Sequence, residues 1–276
     1  MTTRTLASAG IVALSLAVAG CDVKVGENGL SFDVAEGKAT DEWKRSYPLA
    51  AGGSLEIVNH NGRIDAFPAT GATVEVTAQR EFRSGSDEQA QEAMKGTELI
   101  EDVTPDRVRI ETPRLVFGDR EGPFQRRFIN VSYRVGVPAG VNLSLKTENG
   151  RIQVENVKGK VTINSTNGRI DAIGLAGPLD VQTVNGGVNI DLPTLTGDVK
   201  VGGVNGGIRI RIPGNVDADL ELHAVNGGVS VDDALTVATT QRERQHLLGR
   251  INKGGPKISA DIVNGGVRVA LLDSSR

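Results

Sequence analysis

Three stretches decide the fold: LSLKTENGRIQV at residues 143–154, VTINSTNGRIDA at 161–172 and LDVQTVNGGVNI at 179–190. Aligned on their Asn-Gly pair, they carry apolar residues six and four positions before the Asn, a small residue two before it, and apolar residues three and five after it. Each half alternates with period two, the pattern of a strand with one buried face. The parity of the buried positions switches at Asn-Gly, so the chain turns a corner there while keeping its apolar side inward.

The pattern extends outward. Asn-Gly occurs at Asn61, Asn149, Asn167, Asn185, Asn205, Asn226 and Asn264, and spacings from the second to the sixth are 18, 18, 20 and 21 residues. The last gap is 38, about two periods, and the first is 88. Asn and Gly both tolerate the positive φ such a corner needs. Further glycines at Gly159, Gly177, Gly197 and Gly214 mark a second corner between copies. Each period is then two short strands and two corners.

Two architectures fit. One is a β-solenoid whose coils stack like on like, with the Asn side chains in a ladder; the other is a series of antiparallel hairpins, for which Asn-Gly is a strong signal. The parity switch and the period favour the solenoid, and the expected fold is an all-β, right-handed β-solenoid-like repeat with one short helix. The structural corners are Asn149, Asn167, Asn185, Asn205, Asn226 and Asn264. Aromatic residues make up only 3 % of the chain and there are 35 glycines, a composition suited to thin apolar layers and tight turns.

The repeated Asn-Gly-x-apolar-x-apolar units resemble a family of bacterial β-strand-repeat proteins named as adhesins, whose function is unknown. The stretch from Gly249-Arg250-Ile251 through Gly254-Gly255-Pro256 to Ile262-Val263-Asn264-Gly265 is similar to that family's C-terminal end. The resemblance covers about residues 45–271. It implies a solenoid-like domain on cell-envelope proteins and brings no catalytic residues.

Three segments depart from the repeat. Residues 1–20 read as a lipoprotein signal peptide: Arg4, an apolar run from Ala7 to Ala19, then Val18-Ala19-Gly20-Cys21. The run is shorter than the roughly 20 residues that span a bilayer. Small residues followed at once by cysteine resemble the bacterial lipobox, which implies cleavage before Cys21 and lipid attached to it. Membrane contact is therefore expected through that lipid, on the periplasmic side or at the cell surface. Residues 21–45 read as a tether, with Trp43 and Tyr47 near the start of a body spanning 46–273, in which Gly52–Phe67 is an isolated first copy. Ser86–Glu101 reads as a capped helix covering one end of the stack. Val108–Ile110, Leu115–Phe117 and Phe128–Val135 read as strands, with Gly118–Pro123 a loop. Leu235–Gly249 reads as a helix or surface loop.

No residue set commits to catalysis, and no metal or other cofactor is expected. His60, His223 and His246 lie in different copies without ligand spacing, and His60 reads as an ordinary exposed histidine. The near-neutral charge argues against a nucleic-acid partner. One row stands out: Arg63, Arg151 and Arg169 follow the corner glycine in three copies, where Gly187, Gly207, Gly228 and Gly266 stand in the others. Stacked coils would bring Arg151 and Arg169 together, neutralised by Glu155 or Asp171 or poised to hold an anion. The second glycine of the later copies is read as a requirement of corner geometry rather than a docking surface. The expected role is a non-catalytic adhesin-like or scaffold module contacting an envelope protein or glycan. The alternatives are a regulatory or sensory partner of a membrane protein and, third, a polysaccharide-active enzyme.

Overall fold

The computed structural model describes residues 21–26, 29–34, 37–114 and 128–272. The strand expected at Leu115–Phe117 and the loop after it lie outside these residues, as does the signal peptide. In chain order the elements begin with β1 (Cys21–Gly26), β2 (Gly29–Val34), β3 (Gly37–Pro48), β4 (Ser54–Asn61), β5 (Ile64–Pro68), β6 (Thr73–Ser84) and α1 (Asp87–Lys95). There follow β7 (Ile100–Val103), β8 (Arg107–Glu111), β9 (Phe128–Val137), β10 (Asn142–Asn149), β11 (Ile152–Glu155), β12 (Val161–Asn167), β13 (Ile170–Ile173) and β14 (Leu179–Asn185). The chain continues through β15 (Val188–Asp191), β16 (Val199–Asn205), β17 (Ile208–Ile212), β18 (Ala218–Val231), β19 (Val237–Arg242), β20 (His246–Ile251) and β21 (Lys257–Leu271).

The repeats stack as parallel strands in register. The strands before the corner run β8, β4, β10, β12, β14, β16, β21, β18; those after it run β9, β5, β11, β13, β15, β17, and then the C-terminal halves of β21 and β18. The solenoid reading therefore holds over a chain of hairpins. Equivalent residues pair: Leu145 with Ile163, Ile163 with Val181 and Val181 with Val201 on one side of the corner, Ile152 with Ile170 and Ile170 with Val188 on the other. All are buried. Each aliphatic side chain taken from water contributes roughly 2 kcal/mol. Val157, Leu175 and Leu192 fill the return between coils and are also buried.

Order along the stack differs from order along the chain in two places. The first copy is not isolated at the end: β4 and β5 sit between the coil of β8 and β9 and the coil of β10 and β11. At the other end β16 pairs with β21, not with β18, so the copy at Asn264 lies inside the copy at Asn226. The gap of 38 residues is thus not two successive periods. The chain passes over one coil position, returns through a hairpin of β19 and β20, and fills it with β21. That hairpin replaces the helix or loop expected at Leu235–Gly249.

Both ends are closed by antiparallel strands. β9 pairs with β6 and β6 with β3, over all twelve residues of β3. The body accordingly begins by Gly37, earlier than the expected 46, and the segment read as a tether holds a further antiparallel pair, β1 with β2. The helix starts where expected but ends at Lys95, and Ile100 and Glu101 belong to β7 instead. Ser86 accepts a hydrogen bond from the Gln89 backbone N–H at its N-terminus, and Ala90 is buried with Ala93 and Met94 packed on the same core. Beneath this end, Asn59 takes the place of the small residue: its amide donates to the Val131 carbonyl at 2.7 Å, and its oxygen accepts from the Thr112 hydroxyl at 3.0 Å, which meets the Tyr133 hydroxyl at 2.8 Å.

At the corner only the glycine takes positive φ: 153° at Gly150, 140° at Gly168 and 156° at Gly186, while none of the corner Asn residues does. The coils also approach closely here. A Cβ at Gly186 would lie 1.8 Å from the Gly168 carbonyl oxygen, whereas one at Gly187 would meet nothing nearer than 3.9 Å. At Gly187 and Gly207 the second glycine is therefore not required by corner geometry, contrary to the reading from sequence, whereas Gly266 has a backbone oxygen 3.3 Å from where a Cβ would stand. Gly186→Ala should destabilise by about 3 kcal/mol or more, from strain and overlap together, and Gly187→Ala should be neutral or stabilise by about 0.5 kcal/mol. Urea denaturation of the two variants distinguishes them; equal losses would refute this account.

Candidate functional site

Because the coils are in register, every position along the repeat becomes a row on the surface. The corner Asn side chains form one unbroken ladder. Asn149 donates to Asn61 at 3.0 Å, Asn167 to Asn149 and Asn185 to Asn167 at 2.9 Å, Asn205 to Asn185 and Asn264 to Asn205 at 2.8 Å, and Asn226 to Asn264 at 2.9 Å. Backbone bonds run beside them: Gly150 N–H donates to the Asn167 carbonyl and Gly168 N–H to the Asn185 carbonyl, each at 2.9 Å. The predicted corner residues are thus brought together as one structural edge.

That edge divides in two. On the coils of Asn61, Asn149 and Asn167 the ladder is flanked by His60, Glu148 and Thr166 on one side and Arg63, Arg151 and Arg169 on the other. On the next four coils it is flanked by Val184, Val204, Val263 and Val225, and by Gly187, Gly207, Gly266 and Gly228. These valines are 39–46 % exposed. Four adjacent Val-Asn-Gly-Gly corners make a flat strip that no side chain interrupts on the glycine side. The side-chain-poor glycine strip is legible in the sequence; the valine row beside it and the adjacency of all four coils come from the stack, where the copies at Asn226 and Asn264 exchange places.

Arg151 and Arg169 meet across adjacent coils, as expected, and Asp171 lies between them. Its buried carboxylate accepts from Arg151 Nε at 3.0 Å, Arg169 Nε at 2.9 Å and the Asn189 amide at 3.0 Å. Charge-assisted bonds of this kind resolve the repulsion between the two guanidinium groups. Glu155, the other expected partner, instead accepts from Gln153. Both arginines keep more than half of their side-chain surface exposed, at 54 and 61 %.

Beside the ladder, on the outer face of the strands that precede the corner, lies an open groove of about 590 Å³. Its lining crosses six coils, from Glu111 of β8 to Val204 of β16, with Lys146, Asn164 and Gln182 in one row and His60, Glu148, Thr166, Val184 and Val204 in the next. His60 is not the exposed residue expected: its side chain is 11 % exposed, with Nδ1 3.2 Å from Glu148 Oε1. Arg114 also holds Glu148. At the margin, Glu56 accepts from Lys146 at 2.7 Å and pairs with Arg109 at 3.0 Å, bridging three neighbouring strands. Burial acts to raise the Glu56 pKa, and the hydrogen bonds from Lys146 and Arg109 outweigh it, leaving the carboxyl below its ordinary range.

The described residues include no group of three or more His, Cys, Asp or Glu side chains placed to hold a metal, and no helix long and apolar enough to cross a membrane. Cys21 begins β1.

The stacked coils, the Asn ladder and the ends closed by antiparallel strands define a β-solenoid-like repeat protein. The chain belongs to the Toastrack family, DUF4097, whose pattern matches residues 52–270. Among solved structures it is similar to one named for cell adhesion from Clostridium sporogenes, at 13 % identity, covering 85 % of this chain and 100 % of that one, with a TM-score of 0.47. It is similar also to one named as an adhesin from Bacteroides fragilis, at 8 % identity, 84 and 97 % coverage and a TM-score of 0.27. A third, named for lipid binding, comes from Parabacteroides distasonis, at 11 % identity, 84 and 97 % coverage and a TM-score of 0.24. Likenesses this distant say nothing of ligand or partner. No curated protein matches the chain.

The lowered pKa of Glu56 sets a sign for pH dependence. A carboxyl depressed in the folded state stabilises fully above its ordinary pKa, about 4.3, and loses that contribution as pH falls through the lowered folded value. Glu56→Gln should therefore be less stable than the wild type at pH 7, the two urea midpoints converging below about pH 4. A gap that persists into acid would refute the assignment.

Proposed function

We propose that the protein is a lipid-anchored, non-catalytic binding module of the bacterial cell envelope, contacting other envelope or surface material through its corner edge. The observation that carries this reading is the strip of four Val-Asn-Gly-Gly corners. Two of its second glycines, Gly187 and Gly207, have room for side chains, as the arginines of the earlier coils carry at the same position, while Gly266 and Gly228 lie closer to neighbouring backbone. Glycines that the fold does not need, at Gly187 and Gly207, beside a row of exposed valines are what a flat contact surface requires. Arg151 and Arg169 with Asp171 leave one net positive charge next to it (+1 + 1 − 1), suited to acidic groups on the same material. The Gly20-Cys21 junction supports anchoring by lipid on Cys21; several acyl chains hold a protein at a bilayer stably, each buried CH₂ contributing about 0.8 kcal/mol.

Two measurements test this. A palmitate analogue should label the wild type and not Cys21→Ser, and protease added to intact cells should remove the body if it faces outward. Protection until the envelope is opened would place it in the periplasm and turn the search to a membrane-protein partner. Separately, Arg151→Ala with Arg169→Ala should weaken retention on an immobilised acidic polysaccharide severalfold; because it also strips the buried Asp171 carboxylate of its cations, the melting temperature should fall and retention is measured well below it. Undiminished retention would remove the arginines from the contact surface.

A further inference from the structure

Most buried side-chain polar atoms in proteins find a partner, and each exception calls for a reason. Among the described residues the unpartnered ones are both ring nitrogens of His60, the hydroxyls of Thr147, Ser165 and Thr183, and the Asn130 side-chain oxygen. His60 stands on the outer face of the groove, whereas Thr147, Ser165 and Thr183 border it from the inward positions of their strands and turn their hydroxyls to the core. The His60 ring lies near Glu148 yet makes no aligned hydrogen bond with it. The more exposed lining is also under-used: the Asn164 amide and the Thr166 hydroxyl bond to no other described side chain, and Gln182 spends one amide N–H on Asp180, at 3.1 Å. The Gln182 amide lies over Gly202 of the next coil, where a Cβ would come within 2.2 Å of its oxygen. A volume of about 590 Å³ falls within the range of small-ligand sites.

The chemistry of the lining selects among ligands. Its charged residues cancel: Lys146 and Arg114 against Glu148 and Glu111. The strand backbones behind it are committed to the coil-to-coil ladder, so they leave no edge on which an extended peptide could add as a strand. What faces outward is Lys146 with the amides of Asn164 and Gln182 in one row and the His60 imidazole, Glu148 carboxylate and Thr166 hydroxyl in the next, set at the coil spacing of about 4.8 Å, which is close to the length of one pyranose unit. The five coils from His60 to Val204 span roughly 19 Å.

Resting on the envelope-binding reading above, we propose that this groove binds a neutral, hydroxyl-rich glycan laid along the stacking axis, successive sugar units meeting successive coils. Lys146, Asn164 and Gln182 hold one edge of the chain; His60, Glu148 and Thr166 hold the other. Val184 and Val204, shared with the glycine strip, provide the apolar floor at the far end. The lining has no Trp, Tyr or Phe on which a sugar ring could stack, so each unit binds weakly and affinity accumulates with length.

The test uses the full mature chain in a detergent without a sugar headgroup, titrated calorimetrically with cello-, manno-, malto- and chito-oligosaccharides of two to six units. At least one series should bind, with affinity rising to four or five units and then levelling. Asn164→Ala with Gln182→Ala should weaken binding at least tenfold with the melting temperature unchanged, while Lys200→Ala, off the groove, should leave it intact. Failure of the wild type to bind any of the four series, or binding indifferent to the double substitution, would overturn the proposal. Retention of whole envelope extract by the same preparation separates the two readings. If extract is retained and no oligosaccharide binds, the groove assignment falls alone; if neither binds, the envelope-binding reading falls with it.

Discussion

Close in-register contact between successive Asn-Gly corners is the constraint from which the rest of the structure follows. The glycine N–H of one coil reaches the Asn carbonyl of the next at 2.9 Å, and its Cα lies so near the neighbouring glycine oxygen that no Cβ fits. Once the backbones meet at that distance, the Asn amides fall into hydrogen-bonding range and align in one direction along seven coils. Register is then fixed for both strands leaving the corner. A slip of one residue would turn every core aliphatic outward and break the ladder as well.

A stack of parallel strands leaves its two ends open, with an exposed core and unpaired backbone groups. Here the chain closes both with antiparallel pairs. At one end β6 and β3 continue from β9, with α1 packed against them; at the other β20 and β19 continue from β18. The departures from chain order serve this closure. The insertion between β5 and β10 builds its cap on the far side of the first copy, and the hairpin after β18 lets β21 return to lie between β16 and β18. No disulfide is available to staple these ends, since Cys21 is the only cysteine, so closure rests on strand pairing and on the buried Asn59, Thr112 and Tyr133 network.

Stacking also makes surface chemistry additive along one axis. A residue that is unremarkable in one copy becomes a row when its neighbours agree, as with the four valines beside the ladder, or a self-neutralising pair when they differ, as with Arg151, Arg169 and Asp171. The change from arginine to glycine between the third and fourth coils splits one edge into a charged half and a flat half. The groove spans that boundary, which is why its lining passes from imidazole and carboxylate to amide and then to valine.

The repeat, its corner residues, the alternation of buried positions and the capped helix were legible in the sequence because each is set locally: a two-residue period, a residue able to take positive φ, a serine before an acidic first turn. The row holding Arg151 and Arg169 was legible too, since stacking like on like follows from the period. Which coil lies beside which was not. Asn226 and Asn264 carry the same local pattern, and only long-range pairing of β21 between β16 and β18 decides their order. The continuity of the valine strip, the burial of His60 and the groove all depend on that order or on contacts across 88 residues of chain. The role of the second glycine was hidden for a different reason: a glycine demanded by steric overlap and one that merely leaves space are identical in sequence, and only the distance to the neighbouring coil tells them apart.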